Sequence, residues 1–321
     1  MYQDIFFRFK GNGFTTATPQ TNQLSFMTAL LYRFLFGFLY LLSLLPFWLL
    51  HRLADMLYFL IYYFLGYRKK VVFQNLRTAF PQKEEREIRA IAKAFYLHLV
   101  DLMMESIKSV SMRQKDFAKR YRVRNWHVLL DRLQNDESVL IVSPHTGNWE
   151  WVFALVFHIP ADVYAVYQPL SNKYFDRYIR QTRQRYGAKM ISMKETFKAI
   201  LDAYQAEKQI VSWFAADQAC KPEKAYWTDF LNQETTFHGG YEKIARQTRQ
   251  TVLFLDIKKV KRSHYELGLT CICNDPRSMP PGQIVEKFAE LAELRIRENP
   301  PFWLWSHRRW KHKRAEEVAM K

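Results

Sequence analysis

The sequence predicts an α/β protein whose sheet is covered by helices and which carries hydrophobic anchor helices in its N-terminal part. Short continuous apolar runs of the kind found in buried strands, such as Ser138–Ser143, recur through the second half of the chain. Helical patterns lie between most of these runs, and strand–helix alternation is typical of an α/β sheet. From Phe34 to Leu50 no residue is charged, which is about the shortest run that can span a bilayer.

The individual elements follow from these patterns. The predicted strands are Ser138–Ser143, Val163–Tyr167, Lys189–Ser192, Gln209–Phe214, Thr251–Val260 and Tyr265–Cys273. The predicted helices among them are Trp149–Phe157, Tyr174–Tyr186, Thr196–Gln205, Gly240–Thr248 and Gly282–Glu298. Residues 72–135 are predicted to be helical because apolar residues recur at helical spacing in IRAIAKAFYLHLVDLMMESI.

The N-terminal apolar region predicts a membrane anchor. Pro46 should kink or end the first helix, and a second apolar stretch, Met56–Tyr67, is too short to span a bilayer and indicates a re-entrant or interfacial segment. The basic residues 68–70 that follow favour the cytoplasmic side and anionic lipid. The alternative is a pair of buried core helices in a soluble protein.

The chain therefore divides into four segments. Residues 1–27 are polar and weakly patterned and predict a mobile leader, with Met27 as a candidate start; no cleavable signal peptide is evident. Residues 28–70 are predicted to form the anchor and its basic junction, 71–313 the main folded domain and 314–321 a tail.

Composition restricts the class of protein. Hydrophobic residues make up 49% and charged residues 25%, which favours a packed core over disorder. The net charge of +17 attracts anions, so nucleic acid, anionic lipid and acidic carrier proteins are all candidate partners. The three cysteines are an odd, sparse set, which argues against a disulfide framework, and Cys271 and Cys273 lack the second pair that a zinc site needs, so no metal is expected.

The segment SPHTGNWEW, Ser143–Trp151, follows the first predicted strand of the sheet, where ligands bind in open α/β sheets. On one helix His145 and Glu150 would point about 140° apart, given roughly 100° per residue. With His145 in a loop that turns at Gly147 and Glu150 in the first helical turn, the two side chains can meet. The carboxylate then fixes the imidazole, whose other nitrogen can take a proton from a hydroxyl. The alternative is a loop histidine beside a glutamate that only starts a helix.

The spacing of histidine, four residues and glutamate resembles a motif of the bacterial lipid A biosynthesis acyltransferases. The context is also similar, because the motif follows an apolar strand and is preceded in the chain by an anchor and a basic segment. These lauroyl- or myristoyl-transferring enzymes belong to the lysophospholipid acyltransferase superfamily, and the likeness extends from about Tyr32 to Lys313. Further segments that resemble the family's pattern are Tyr67–Pro81, Tyr167 with Pro169 and Asn172, Arg183, Asp217 with Gln218, Phe237–Gly240 and Trp303–Lys311.

The resemblance implies a central mixed sheet flanked by helices, as in the glycerolphosphate acyltransferases. It implies transfer of a fatty acyl chain from acyl carrier protein to a hydroxyl of a phosphorylated lipid A precursor, with no cofactor and no nucleic acid. His145 would be the general base and Glu150 its orienting carboxylate, with the domain on the cytoplasmic face of the inner membrane. The substrate-binding residues that it implies are Arg183, Asp217, Asn148, Asn172, Gln218 and Gly239.

Other interpretations of the same residues stay open. The acceptor could be an aminolipid, a lysophospholipid or a phosphoinositol glycolipid, with acyl-CoA as donor. A basic membrane-surface protein could bind lipid or nucleic acid without chemistry, although no nucleic-acid signature is visible. A hydrolase could use water, although no Gly-x-Ser-x-Gly elbow occurs. Asn148 as a helix cap, Asp217 as a turn former and Arg183 as a solvated charge are the structural alternatives.

Overall fold

The computed structural model describes residues 19–314; for residues 19–26 and Lys224 it defines the backbone alone. The predicted leader lies outside the described residues as far as residue 18, and residues 19–27 begin the first helix. Of the predicted tail, only Arg314 is described.

Two helices form the N-terminal part, and they meet at Pro46. Helix α1 (Pro19–Leu44) ends before this proline, which then occupies the N-cap of helix α2 (Phe47–Phe59), so the predicted break is confirmed. A π-helical turn, Leu60–Leu65, prolongs α2. Among the described residues, Met27–Leu44 is the one helical stretch long and apolar enough to cross a membrane, and only 6% of it is buried. Helix α1 is therefore not packed as the core helix of a soluble protein would be.

The region from 72 to 135, predicted as helix, consists of helices separated by breaks. These are α3 (Lys69–Ala79), α4 (Glu85–Ser109), α5 (Gln114–Arg120) and α6 (His127–Gln134). Helix α4 starts with a capping box, in which the backbone N–H of Glu84 donates to Glu87 Oε2 at 3.1 Å. The prediction was wrong at Tyr121–Val123, which form a short edge strand, β1. Three residues are too few for strand periodicity to register.

A sheet of seven strands forms the centre of the domain, in the order β1-β9-β8-β2-β5-β3-β4. The pairs along β8-β2-β5-β3-β4 are parallel, and β9 runs antiparallel to β8, so the predicted mixed sheet is confirmed. The strand bounds are β2 (Val139–Ser143), β3 (Asp162–Tyr167), β4 (Lys189–Ser192), β5 (Ile210–Ala215), β8 (Thr251–Lys261) and β9 (His264–Cys273).

Helices cover this sheet close to where the sequence predicts them. They are a 3₁₀ helix (Trp149–His158), α7 (Lys173–Gln184), α8 (Thr196–Gln205), α9 (Gly240–Thr248) and α10 (Gln283–Glu298). A separate hairpin of β6 (Ala225–Phe230) and β7 (Gln233–His238) was not predicted. Its turn residues Leu231 and Asn232 both have positive φ, 52° and 64°, but lack the glycine that usually signals such a turn.

Strands β2 and β5 are parallel neighbours and end at the same edge of the sheet. Ser143 is in register with Ala215, and the backbone N–H of Ala216 donates to Ser143 O at 3.0 Å. The loops that follow the two strands therefore start side by side. This adjacency brings together residues that are far apart in the sequence.

Candidate active site

The loop that carries His145 leaves strand β2 and is fixed from behind by the C-terminal segment. Gly147 has a φ of +55°, and a Cβ added there would lie 2.5 Å from Ile257 O, so glycine is required at this position. Its backbone N–H donates to Phe302 O at 2.9 Å, and Thr146 forms a β-bridge with Trp303. These contacts hold the loop in one conformation.

Asp217, in the loop after β5, holds the His145 imidazole. Its Oδ1 lies 2.5 Å from His145 Nδ1, and its Oδ2 accepts from the His145 backbone N–H at 2.9 Å and from Trp303 Nε1 at 2.6 Å. Burial opposes ionisation of this carboxyl, but the charge of His145 and the donated hydrogen bonds lower its pKa to about 2. The imidazole therefore has a fixed anionic partner on Nδ1.

Glu150, which the sequence prediction placed against His145, contacts another residue. It lies in the first turn of the 3₁₀ helix, and its Oε2 is 2.5 Å from Arg183 Nη2 on helix α7. Within residues 19–314 no hydrogen bond joins Glu150 to His145. The predicted contact is thus replaced by Asp217, because β5 rather than the following helix is the element beside the loop.

The other predicted substrate-binding residues divide into two groups. Arg183 and Gln218 line the cavity beside His145, and Gln218 Nε2 lies 3.2 Å from His145 Nε2. Asn148 points into the core and donates to Glu105 Oε2 at 2.6 Å. Asn172 caps α7 by accepting from the backbone N–H groups of residues 174 and 175.

Gly239 precedes α9 as its N-cap, next to cavity-lining residues on either side. A Cβ added there would meet nothing within 4 Å, so space does not require glycine.

A cavity of about 560 Å³ opens in front of His145 at the carboxyl ends of the strands. Much of its lining is apolar or aromatic, including Trp149, Phe153, Val166, Met190, Trp213, Phe214 and Ile244. Basic side chains also reach it, namely Arg68, Arg180 and Lys243. A cavity of this chemistry suits a ligand with a long apolar part and an anionic part.

A smaller apolar cleft of about 70 Å³ adjoins the cavity between helices α1, α4 and α7. Leu39 of the anchor helix and Met103 of α4 are among its lining residues. Glu150 and Arg183 border both spaces, so this ion pair lies where the cavity and the cleft meet.

Sequence reasoning missed two residues in the roles that the structure gives them. Trp303 anchors Asp217, and His307 lines the cavity. Both lie in the WLWSHRRWK segment, whose resemblance to the family was the one signal available; their contacts bridge up to 88 residues of sequence. Among the described residues no group of three or more histidine, cysteine, aspartate or glutamate side chains is placed to hold a metal.

A histidine held by a buried carboxylate thus lies at the edge of the parallel part of the sheet and borders a largely apolar cavity. Residues 18–312 match the family described as bacterial lipid A biosynthesis acyltransferase, and the chain belongs to this family and is an acyltransferase.

Its relatives carry the same kind of name. The lipid A biosynthesis lauroyltransferase of Escherichia coli K12 is 26% identical over 281 residues, covering 86% of this chain and 89% of the relative. The lipid A biosynthesis palmitoleoyltransferase of E. coli K12 is 24% identical over 276 residues, 80% of this chain and 83% of the relative. A lipid A biosynthesis acyltransferase of Haemophilus influenzae is 21% identical over 266 residues, 78% and 80% of the two chains.

Proposed function

We propose that this protein transfers a fatty acyl chain from acyl carrier protein to a hydroxyl group of a phosphorylated lipid A precursor. One observation carries the proposal: His145 is held at Nδ1 by Asp217, while its ring borders a largely apolar cavity. The family match supports lipid A as the acceptor. The fold would then be of the glycerolphosphate acyltransferase type.

The chemistry follows from the tautomer of His145. Because Nδ1 donates to Asp217, Nε2 is the nitrogen that accepts a proton from the acceptor hydroxyl. The hydroxyl oxygen adds to the thioester carbonyl carbon, the C–S bond breaks, and the leaving thiolate takes the proton from His145. In the structure the Gln218 side-chain amide contacts His145 Nε2, and the acceptor hydroxyl would take the place of this amide when it binds.

Glu150 acts in this mechanism through Arg183. The carboxylate holds the guanidinium in the cavity wall, and both side chains are largely buried, with 10% and 18% exposed. A fixed cation there can face the developing charge or a phosphate of the acceptor. This assigns Glu150 a positioning role beside the base.

Charge and the anchor support the choice of partners. The net charge of +17 favours an acidic carrier protein and a phosphorylated lipid. The exposed apolar helix α1 and the basic residues 68–70 favour the cytoplasmic face of the inner membrane. Both substrates would then meet at the membrane surface.

The test is mass spectrometry of total lipids from a strain that lacks the gene. We expect lipid A that lacks one acyl chain, restored by the wild-type gene and not by the His145→Ala variant. Unchanged lipid A together with the loss of an acylated aminolipid, lysophospholipid or phosphoinositol glycolipid would reject lipid A as the acceptor. Assays with purified protein and acyl carrier protein or coenzyme A thioesters then identify the donor.

A further inference from the structure

A second histidine, His307, lies in the wall of the same cavity as His145. Its backbone is fixed by helix α3 and the preceding loop. Asn75 Nδ2 donates to the carbonyl oxygens of Trp305 and His307, both at 2.9 Å, and Arg68 Nη1 donates to Ser306 O at 2.9 Å. His307 is therefore placed before any substrate binds.

The loop after β5 connects the two histidines. Within three consecutive residues, Asp217 contacts His145 Nδ1, Gln218 contacts His145 Nε2, and the backbone N–H of Ala219 donates to His307 Nε2 at 3.4 Å. The same short loop thus sets the position of both rings relative to each other.

The protonation state of His307 follows from this contact. Because Nε2 accepts from Ala219, the proton of the neutral ring sits on Nδ1. Burial, reinforced by the nearby charge of His145, lowers the pKa of His307 to about 3, so the ring is neutral at physiological pH. Within residues 19–314, Nδ1 has no hydrogen-bond partner.

The donor to His307 Nε2 is a backbone N–H, which cannot move aside as the Gln218 side chain at His145 can, so this neutral ring is suited to donate through Nδ1 rather than to act as a base. We propose that His307 is a catalytic residue whose Nδ1–H donates to the carbonyl oxygen of the acyl thioester. As the acceptor hydroxyl adds, the carbonyl electron pair moves onto this oxygen, and the hydrogen bond stabilises the charge until the C–S bond breaks. A donor that is fixed in advance needs no reorganisation during the reaction.

This inference rests on the proposed function for its thioester donor, but not for its lipid acceptor. Water can replace the lipid hydroxyl, and slow hydrolysis of the thioester passes through the same charged oxygen. Hydrolysis measured without any lipid therefore tests His307 even if the acceptor is not a lipid A precursor.

The experiment compares the full-length purified wild-type protein with His307→Phe, which keeps the ring volume, and His307→Gln, which keeps an N–H donor. Arg308→Ala, an exposed neighbour, is the control. With lauroyl–acyl carrier protein and a purified lipid A precursor, we expect Phe to lower kcat about 10²- to 10³-fold with little change in KM. Hydrolysis without acceptor should fall by the same factor, and Gln should restore a substantial part of both rates.

Three results would overturn the inference. The first is a His307→Phe variant that hydrolyses the thioester within threefold of the control. The second is a loss confined to transfer with a raised KM for the lipid, which would make His307 an acceptor-binding residue. The third is equal loss in Phe and Gln with a lowered melting temperature, which would make the role structural. Wild-type protein that hydrolyses the thioester but leaves the lipid A precursor unmodified would contradict the proposed acceptor alone.

Discussion

Two groups of buried charges lie beside the loop of His145, and they differ in what they face. The cavity cluster (His145, Asp217, Glu150 and Arg183) borders open space, because all but Asp217 line the cavity. Asp217 stands behind His145 with 2% of its side chain exposed. Asp217 pairs with His145 and Glu150 with Arg183, and His145 Nε2 lies 3.2 Å from the side chain of Gln218.

The hairpin cluster (Asp101, Lys259 and Arg262) joins helix α4 to the β8–β9 hairpin, from which it takes its name. Asp101 is fully buried in α4 and binds Lys259 Nζ at 2.9 Å and Arg262 Nη2 at 2.5 Å. Lys259 Nζ also lies 3.3 Å from His98 Nδ1, and His98 Nε2 donates to Gly147 O at 3.1 Å. None of these residues lines the cavity described above.

The comparison teaches that burial of charge does not identify a catalytic site. Each cluster is built around a buried carboxylate, and the hairpin cluster supports the loop backbone through His98. The cavity cluster alone combines a fixed partner on one imidazole nitrogen with space at the other. We expect substitutions in the cavity cluster to change turnover, and substitutions in the hairpin cluster to change stability.

Replacement of His145 should give the largest effect. His145→Ala removes the base, so kcat/KM for acyl transfer should fall on the order of 10³- to 10⁴-fold. Transfer from a radiolabelled acyl thioester measures the loss, and the melting temperature should stay near that of the wild type. If His145→Ala keeps activity within tenfold of the wild type, the cavity cluster is not the catalytic one and the distinction between the two clusters fails.

Asp217→Asn should come second. The amide cannot hold the same imidazole tautomer or stabilise the imidazolium, so kcat should fall about 10²- to 10³-fold while KM changes little. Asp229→Asn, an exposed acid on β6, is the matched control and should retain full activity. If Glu150→Gln reduces kcat more than Asp217→Asn does, Glu150 rather than Asp217 is the carboxylate that orients His145.

Asp101→Asn should change stability rather than chemistry. Lys259, 9% exposed, is left beside a neutral amide, whereas Arg262, 31% exposed, keeps its ion pair with Asp55, so the variant should lose about 3 kcal/mol of unfolding free energy. Asp162, which pairs with the exposed lysines Lys189 and Lys208, offers the control, since Asp162→Asn should cost less than about 1 kcal/mol. Chemical unfolding in detergent measures both, and the folded variant should keep kcat within about tenfold. A selective loss of kcat at unchanged stability would show that the hairpin cluster takes part in turnover.

The apolar pattern of the sequence predicted most of the strands of the sheet, but it could not predict which strands lie next to each other. Strand β2 and the 3₁₀ helix after it are local features, and both occur where apolar periodicity indicates them. The pairing of β2 with β5 is not local, and it decides that Asp217, 72 residues away, reaches His145. The short sequence distance and the resemblance of His-four residues-Glu to the family motif predict Glu150 as the partner, and neither specifies which strand lies beside the loop.

The two elements that sequence analysis missed have separate physical causes. Strand β1 is three residues long, and hydrophobic alternation needs more than that to register. The β6–β7 hairpin turns through Leu231 and Asn232, which adopt positive φ without glycine. Trp303 and His307 reach the site because the chain after α10 returns to the loops that follow β2 and β5. Motif resemblance can mark such a segment, but only the fold assigns contacts to its residues.

The smallest predicted effect is a change in how the unfolding free energy depends on pH, and it concerns His98, which contacts the hairpin cluster. Burial, together with the charge of Lys259, lowers the pKa of His98 well below its usual 6.5, so the native ring stays neutral while the unfolded ring gains a proton as pH falls. The unfolded state then binds more protons, and stability present above pH 6.5 is lost below it, by up to about 1.4 kcal/mol per pH unit.

His98→Gln can keep both hydrogen bonds without titrating, so its unfolding free energy should decline less between pH 7 and pH 5.5. Arg308→Ala should decline as the wild type does. A slope unchanged by His98→Gln would mean that His98 is not the group that takes up this proton, while a change in kcat at constant stability would assign it to the chemistry of the cavity cluster.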